Sequence, residues 1–106
     1  MKAAAEHSVE VYLVKGVKTL GGMAYKFVSP GNAGVPDRMV VMPGGKIYFV
    51  ELKRETGQLT TLQKRQISRL RDMGCQVMVL HGIEGVRNFL SWLARGRQKE
   101  VIPYDV

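Results

Sequence analysis

Three residues near the middle of the chain, Asp37, Glu51 and Lys53, have the types and the spacing of a metal-dependent hydrolytic site. Glu51 and Lys53 are two positions apart, so their side chains project from the same face of a strand. Neighbouring carboxylates repel each other without a cation, and Mg²⁺ prefers oxygen ligands. A cation there would polarise a phosphate and a water, while the lysine would orient the nucleophile and offset the charge developing on phosphorus. The three residues therefore predict phosphodiester hydrolysis.

The two carboxylates meet only if the chain between them forms a hairpin. Residues 38–42 and 46–53 are strand-like apolar runs, and the turn residues at 43–45 separate them. This order predicts a β-hairpin whose closure draws Asp37 and Glu51 together at one end of the sheet. The alternative is that the glutamate and the lysine form a surface pair while the aspartate caps a loop, and exposed pairs of that kind are common and weak.

Periodicity along the rest of the chain predicts the elements that would carry this hairpin. Apolar residues three and four positions apart indicate helices, alternation or a short apolar run indicates strands, and glycine indicates where an element stops. The predicted elements are a helix over 6–20, strands over 24–28, 38–42 and 46–53, a helix capped by Thr60 or Thr61 and ending at Met73, a strand over 75–80 and a helix over 83–93. Pro103 opposes further helix, so the tail 96–106 is expected to be irregular.

The resulting order, α β β β α β α, predicts one α/β domain with a mixed sheet over residues 1–106. The strands of a hairpin are antiparallel, whereas the helix between strands 46–53 and 75–80 makes a crossover and predicts that those two are parallel. A chain of 106 residues is too short for two independent cores. All functional residues are therefore expected on one fold.

The chain is strongly basic, with 16 Lys and Arg against 9 Asp and Glu, a net charge of +7 and a pI of about 9.9. Such an excess favours polyanionic partners, because each neutralised phosphate releases condensed counterions. The alternative is a basic surface that serves only solubility. The candidate phosphate contacts are Lys15, Lys18, Lys26, Lys64, Arg65, Arg69 and Arg71.

The aromatic residues do not suggest a surface for stacking single-stranded bases. Tyr25, Phe27, Tyr48 and Phe49 lie in predicted strands, where they are expected to face the core in part. Contacts to the phosphate backbone position a protein on nucleic acid without reading its sequence. Recognition by shape and charge is therefore expected rather than base readout.

The cysteine content and the hydropathy predict a soluble, cytoplasmic protein with no membrane partner. The single Cys75 cannot form an internal disulfide and lies in an apolar run, where a buried thiol is expected in a reducing compartment. No stretch approaches the roughly 18 apolar residues of a membrane-spanning helix.

Gln63 is a polar residue on the apolar stripe of the second predicted helix, which also contains Leu59, Ile67 and Leu70. The helix therefore directs an amide towards the sheet, where a leucine would pack better. A buried amide requires a hydrogen-bond partner. The alternative is that the amide lies at the edge of the stripe.

Three motifs together resemble the VRR-NUC family, a virus-type replication-repair branch of the PD-(D/E)xK nucleases. They are Gly34-Val35-Pro36-Asp37, then Val50-Glu51-Leu52-Lys53, then Gln63 at the start of a basic helix. The similarity runs over most of the chain, from the first helix through Leu80. The resemblance implies a restriction-endonuclease-like αβββαβ core, here followed by a C-terminal helix.

The resemblance also implies an activity and a set of site residues. It implies a Mg²⁺- or Mn²⁺-dependent endonuclease acting on DNA, with Asp37, Glu51 and the backbone carbonyl of Leu52 as metal ligands, Lys53 as the catalytic lysine and Gln63 in the active-site motif. Small stand-alone relatives form homodimers that act on branched DNA such as four-way junctions. The competing interpretation is a basic nucleic-acid-binding module without catalysis.

In the same family a glutamate of the first helix joins the metal site, and this chain offers Glu6 and Glu10, one turn apart. The spacing of Glu6 to Val9 and Leu13 matches the family pattern and favours Glu6. Glu10 interrupts the apolar stripe more deeply. Either could also be a solvated acid near the start of a helix, where the dipole favours negative charge.

Overall fold

Within residues 6–100, three helices and four strands follow one another in the order that the sequence predicts. The computed structural model of the protein describes the backbone of residues 6–100 and the side chains of residues 7–96. The elements are α1 (Glu6–Thr19), β1 (Met23–Lys26), β2 (Arg38–Met42), β3 (Lys46–Lys53), α2 (Thr61–Asp72), β4 (Gln76–His81) and α3 (Gly82–Glu100). The predicted α/β class with a C-terminal helix is confirmed.

The four strands form one mixed sheet in the order β1-β2-β3-β4. β1 pairs with β2 and β2 with β3 in antiparallel fashion, whereas β3 and β4 are parallel. The predicted hairpin is confirmed with its predicted strand bounds, because Met42 pairs with Lys46 across a turn in which Gly44 and Gly45 both have positive φ. The predicted parallel crossover through α2 is confirmed as well.

One face of the sheet is covered by α1 and α3, and the main core lies between them and the sheet. Val9, Leu13 and Val17 recur at helical spacing on α1 and are fully buried. Burying one such side chain contributes about 2 kcal/mol relative to leaving it in water. The sheet and α3 contribute the remaining core side chains, which include Ala24, Val40, Tyr48, Val50, Leu52, Val86, Phe89 and Leu93.

The opposite face of the sheet carries apolar side chains that the described part of the chain leaves partly open. The strand register aligns them in two cross-strand rows, Met23–Val41–Ile47 and Tyr25–Met39–Phe49. Met23, Tyr25 and Ile47 are each about half exposed, at 48%, 50% and 45%. The expectation that Tyr25 faces the core was therefore wrong, because the inward position of β1 belongs to Ala24.

Helix α2 packs beside β4 and is less buried than its apolar pattern predicts. Of its predicted stripe only Ile67 is buried, whereas Leu59 and Leu70 are partly exposed. The nearby Leu62 and Met73 are exposed as well. Thr60, one of the two predicted caps, is the N-cap. Cys75 precedes β4 and is half-buried, so the prediction of a buried thiol was also wrong. A periodic pattern identifies a helix but does not measure how much of that helix the sheet covers.

Helix α3 is longer than predicted, since it continues past Leu93 to Glu100. Residues 96–100 are therefore helical and not irregular, because glutamine, lysine and glutamate favour helix and proline comes only at position 103. The rest of the predicted irregular tail, 101–106, lies outside the described residues. No helix within residues 6–100 has both the length and the hydropathy that crossing a membrane requires.

Candidate active site

Asp37 is the residue immediately before β2, and two hydrogen bonds fix it against its neighbours. Its Oδ2 accepts a hydrogen bond from the backbone N–H of Leu52, at 2.9 Å, and its backbone carbonyl accepts one from Phe27 N–H, also at 2.9 Å. The carboxylate is therefore oriented along the end of β3. This contact follows from the hairpin register, in which Arg38 pairs with Val50.

Glu51 is the most deeply buried charged residue of the described chain, with 1% of its surface exposed. Its Oε2 lies 3.4 Å from Lys53 Nζ and accepts a hydrogen bond of 3.0 Å from Gln63 Nε2. A buried carboxylate is costly unless cations and donors surround it, so these partners are needed for folding as well as for chemistry. Both Glu51 and Lys53 lie on the same face of β3, as their spacing predicts.

Gln63 connects the start of α2 to this carboxylate. Its Oε1 accepts a hydrogen bond from Thr60 N–H, at 2.9 Å, while Thr60 Oγ1 accepts one from Gln63 N–H, at 3.1 Å, which completes a capping box. Its Nε2 is then left pointing at Glu51. The partner that the buried amide was predicted to need is therefore Glu51.

A cleft of about 400 Å³ opens beside Asp37 and is lined by residues from α1, β1 and the hairpin. Its lining side chains belong to His7, Glu10, Lys26, Asp37 and Leu52. Of the two candidate glutamates of the first helix, Glu10 thus shares the cleft with the aspartate. The side chain of the other candidate, at position 6, lies outside the described side chains, so the preference for it stays a prediction.

An arginine that the sequence did not single out contacts this cleft. Arg38 Nη2 lies 2.9 Å from Glu10 Oε1, and Arg38 Nη1 donates a hydrogen bond of 3.2 Å to the backbone carbonyl of Ala24. His7 was also missed as a lining residue. Neither spacing nor composition joins Arg38 to Glu10, since the two residues come from elements that meet only in the fold. The available signal was a charged residue at an inward position of β2, two before the buried Val40.

The oxygen donors around the cleft suit a hard divalent cation. The carboxylates of Glu10 and Asp37 line the cleft. Glu51 lies on β3, the strand that pairs with β2, and Leu52 separates it from Lys53. Within residues 7–96, however, no three His, Cys, Asp or Glu side chains gather closely enough to form a metal cluster. Mg²⁺ commonly binds one or two carboxylates and keeps several waters, so this donor set fits Mg²⁺ or Mn²⁺ better than an all-protein cage metal.

The predicted phosphate contacts are all on the surface. Lys15, Lys18, Lys26, Lys64, Arg65 and Arg69 are exposed. Arg71 is exposed too, but its Nη2 donates a 2.7 Å hydrogen bond to the carbonyl of Val77, so part of its guanidinium is engaged within the protein. Four of these seven cations lie on α2, the helix that begins beside Glu51, and Lys26 lines the cleft itself.

Comparison with known sequences supports the interpretation of these motifs. Residues 9–84 match the model of the VRR-NUC domain. The chain is 51% identical over 80 residues to a protein named "Putative nuclease p44" from Acyrthosiphon pisum secondary endosymbiont phage 1, an alignment that covers 76% of this chain and 86% of that protein. The range that matches the family model spans Asp37, Glu51 and Lys53.

Solved structures agree with the sequence match. A structure titled "VRR_NUC domain" aligns with a TM-score of 0.77 and 32% identity, covering 81% of this chain and 94% of that one. A second, titled "VRR_NUC domain protein", aligns with a TM-score of 0.63 and 20% identity over 85% of this chain and 88% of that one, which shows a shared fold. With its four-stranded mixed sheet, its hairpin acids and its family match over residues 9–84, the chain belongs to the VRR-NUC family of nuclease domains.

Proposed function

We propose that the protein is an endonuclease that hydrolyses phosphodiester bonds of DNA with Mg²⁺ or Mn²⁺, and that residues 1–106 act as a single nuclease domain. The observation that carries this proposal is the buried Glu51, held by Lys53 and Gln63 beside the aspartate of the hairpin. A carboxylate buried in this way stabilises the fold poorly, so a role in binding a cation explains its position better. The nuclease name of the phage relative supports the same activity.

Each site residue has a distinct role in this proposal. Asp37, Glu51 and the backbone carbonyl of Leu52 hold the cation, and Glu10 contributes from α1. When bound, the cation supplies positive charge that polarises the scissile phosphate and activates water. Lys53 orients the attacking water and offsets the negative charge that develops on phosphorus. The amide of Gln63 orients the buried glutamate by donating to its Oε2.

The exposed lysines and arginines bind the DNA backbone. A net charge of +7 attracts a polyanion over several ångströms, and individual cations then contact phosphates without reading bases. Lys64 and Arg65 follow Gln63 on α2, so a duplex held by this helix lies beside the carboxylates. Lys15, Lys18 and Lys26 extend the basic surface from α1 to the mouth of the cleft.

We also propose that the active form is a homodimer that cuts branched DNA. The two apolar rows on the open face of the sheet, with Met23, Tyr25 and Ile47 about half exposed, carry no charged side chain on a chain that is otherwise strongly basic. If the same face of a second copy packed against it, the apolar rows of both copies would be buried. A two-fold dimer presents two active sites, which suits the symmetric arms of a four-way junction. The cytoplasmic location stays a prediction from composition.

The proposal is tested with labelled four-way, flap, nicked, linear and single-stranded DNAs incubated with Mg²⁺, Mn²⁺ or a chelator. We expect metal-dependent cleavage, fastest on the branched substrates. Lys53→Met should reduce cleavage by about 100- to 1000-fold, because it removes the cation beside the reacting phosphate. Lys46→Met is the matched control, since Lys46 begins the same strand, about 23 Å from Lys53.

Three results would contradict the proposal in different ways. DNA binding without cleavage in either metal would favour the basic binding module over the enzyme. Cleavage by Lys53→Met at the wild-type rate would leave an enzyme but remove the mechanism. Faster cleavage of a matched RNA junction would change the substrate from DNA to RNA.

A further inference from the structure

Arg38 makes an unusual set of contacts for a residue near the edge of a core. Only 14% of its side chain is exposed. One terminal nitrogen contacts Glu10 Oε1 at 2.9 Å, and the other donates to the carbonyl of Ala24 at 3.2 Å. Within the described side chains, its Nε is the one buried nitrogen or oxygen atom that has no hydrogen-bond partner.

These contacts are poorly explained as a stabilising ion pair. The Glu10 side chain is 36% exposed, and solvent-exposed ion pairs contribute little to stability because water screens the two charges. The buried Nε meanwhile has no acceptor among the described residues, and an unpaired buried donor opposes folding. Unsatisfied polar atoms of this kind are expected where a side chain is held for function.

The position of Arg38 points to that function. Arg38 begins β2 and directly follows Asp37, one acid of the cleft. Its guanidinium contacts Glu10, the other acid that lines the cleft. The salt bridge engages Oε1 of Glu10 and therefore disfavours binding of one ligand by both carboxylate oxygens at once. The bond to Ala24 anchors the guanidinium to the adjacent strand β1, so this limit does not relax easily.

We propose that Arg38 is a positioning residue that restricts Glu10 to one oxygen and thereby makes the metal site prefer Mg²⁺ to Ca²⁺. This inference rests on the proposed metal-dependent function. Mg²⁺ accepts single oxygens in an octahedral arrangement, whereas Ca²⁺ takes six to eight and often binds both oxygens of a carboxylate. A glutamate with one oxygen engaged by Arg38 lacks the two-oxygen binding mode that favours Ca²⁺, so it suits the smaller ion better.

The test measures metal preference without relying on cleavage. Bound Mn²⁺ is followed by electron paramagnetic resonance and displaced by Mg²⁺ or by Ca²⁺, in wild type, Arg38→Met, Glu10→Gln and the double variant. We expect Arg38→Met to weaken Mg²⁺ binding by about 10- to 100-fold, as for other residues that orient a metal ligand. Ca²⁺ binding should weaken less or improve, so the ratio of the two affinities shifts towards Ca²⁺.

The double variant tests whether Arg38 acts through Glu10. In the Glu10→Gln background, replacing Arg38 should leave the Mg²⁺ to Ca²⁺ ratio unchanged, because the carboxylate that it restricts is gone. Arg87→Met is the matched control, since Arg87 forms an ion pair with Glu84 on the exposed surface of α3. Arg38→Lys is a second variant that keeps the charge and loses the two-armed geometry, in case the methionine variant fails to fold.

The outcomes separate this inference from the proposed function. If wild type binds no Mn²⁺ at millimolar concentration, the metal-dependent function itself fails. If wild type binds Mn²⁺ but Arg38→Met or Arg38→Lys leaves the ratio at its wild-type value, the pair is structural and the inference is overturned. A shift of equal size in the Glu10→Gln background would overturn it too, because Arg38 would then act by another route.

Discussion

Gln63 shows how one side chain serves both the fold and the candidate site. Its oxygen accepts from Thr60 N–H and caps α2, while its nitrogen donates to Glu51. Since the amide is planar, fixing the oxygen at the cap also fixes the nitrogen towards the carboxylate. The helix start therefore orients an active-site acid, and the two functions can be separated by mutation.

We expect Gln63→Ala to lower both cleavage and stability more than Thr60→Ala does. Each removes one half of the capping box, which lowers the free energy of unfolding by about 1 kcal/mol. Gln63→Ala also takes a hydrogen-bond donor from the buried Glu51, which costs about 1 to 3 kcal/mol more. Only Gln63→Ala removes the donor to Glu51, so cleavage should fall by about 10- to 100-fold in that variant and stay near wild type in Thr60→Ala. Urea denaturation and initial cleavage rates measure the two effects. Equal cleavage by both variants would show that the amide has no role at the site.

At the scale of the elements, the loop before β2 depends on a close approach to α2. Gly34 has a φ of +88°, and a Cβ at this position would lie 2.8 Å from the backbone carbonyl carbon of Leu62. A side chain at position 34 would be strained by the positive φ and would also clash with the backbone of α2. The glycine thus keeps Asp37 and the start of α2, with Gln63, in one arrangement.

Gly34→Ala should therefore perturb the site, and Gly31→Ala is its matched control. Gly31 has a similar φ of +82°, but nothing lies within 4 Å of its added Cβ. We expect Gly31→Ala to cost about 1 kcal/mol from backbone strain alone. Gly34→Ala should cost about 3 kcal/mol, because overpacking adds to the strain. Thermal denaturation measures both variants, and similar losses would contradict a specific contact between the loop and α2.

At the scale of the whole molecule, the surface divides into a basic part and an apolar part. The basic part predicts that DNA binding weakens as the salt concentration rises. The slope of the logarithm of the binding constant against the logarithm of the salt concentration steepens by about one unit for each phosphate contact. Replacing Lys64, Arg65 and Arg69 by alanine should therefore reduce that slope by about 2 to 3 units. Binding is measured with chelator present over a range of NaCl concentrations. Arg87→Ala is the control, and an unchanged slope in the triple variant would place the DNA elsewhere.

The apolar part predicts self-association through the open face of the sheet. Met23→Glu places a charge in one of the two cross-strand rows and should weaken the dimer by about 100-fold or more, because the charge would be buried without a partner. Met73→Glu makes the same substitution at a methionine that is 73% exposed at the end of α2, outside the rows. Sedimentation velocity at micromolar concentration distinguishes the variants. A wild-type monomer, or a dimer unaffected by Met23→Glu, would contradict this interface.

Much of the architecture follows from local patterns in the sequence. The order of the seven elements, the bounds of the hairpin strands and the parallel crossover were all predicted, because turn glycines, alternation and helical spacing act over a few residues. The meeting of Asp37 with the end of β3 follows from the hairpin register in the same way. The need of Gln63 for a partner could also be read from its place on an apolar stripe.

Only the tertiary structure decided which surfaces are covered and which distant residues meet. Alternation in β1 shows that the strand has two faces, but the packing of α1 decided that Ala24 is buried while Tyr25 is half exposed. The contact of Arg38 with Glu10 likewise arises from the docking of a helix on a sheet, which no local spacing records. Local propensity specifies the elements, whereas burial and long-range ion pairs depend on how those elements pack.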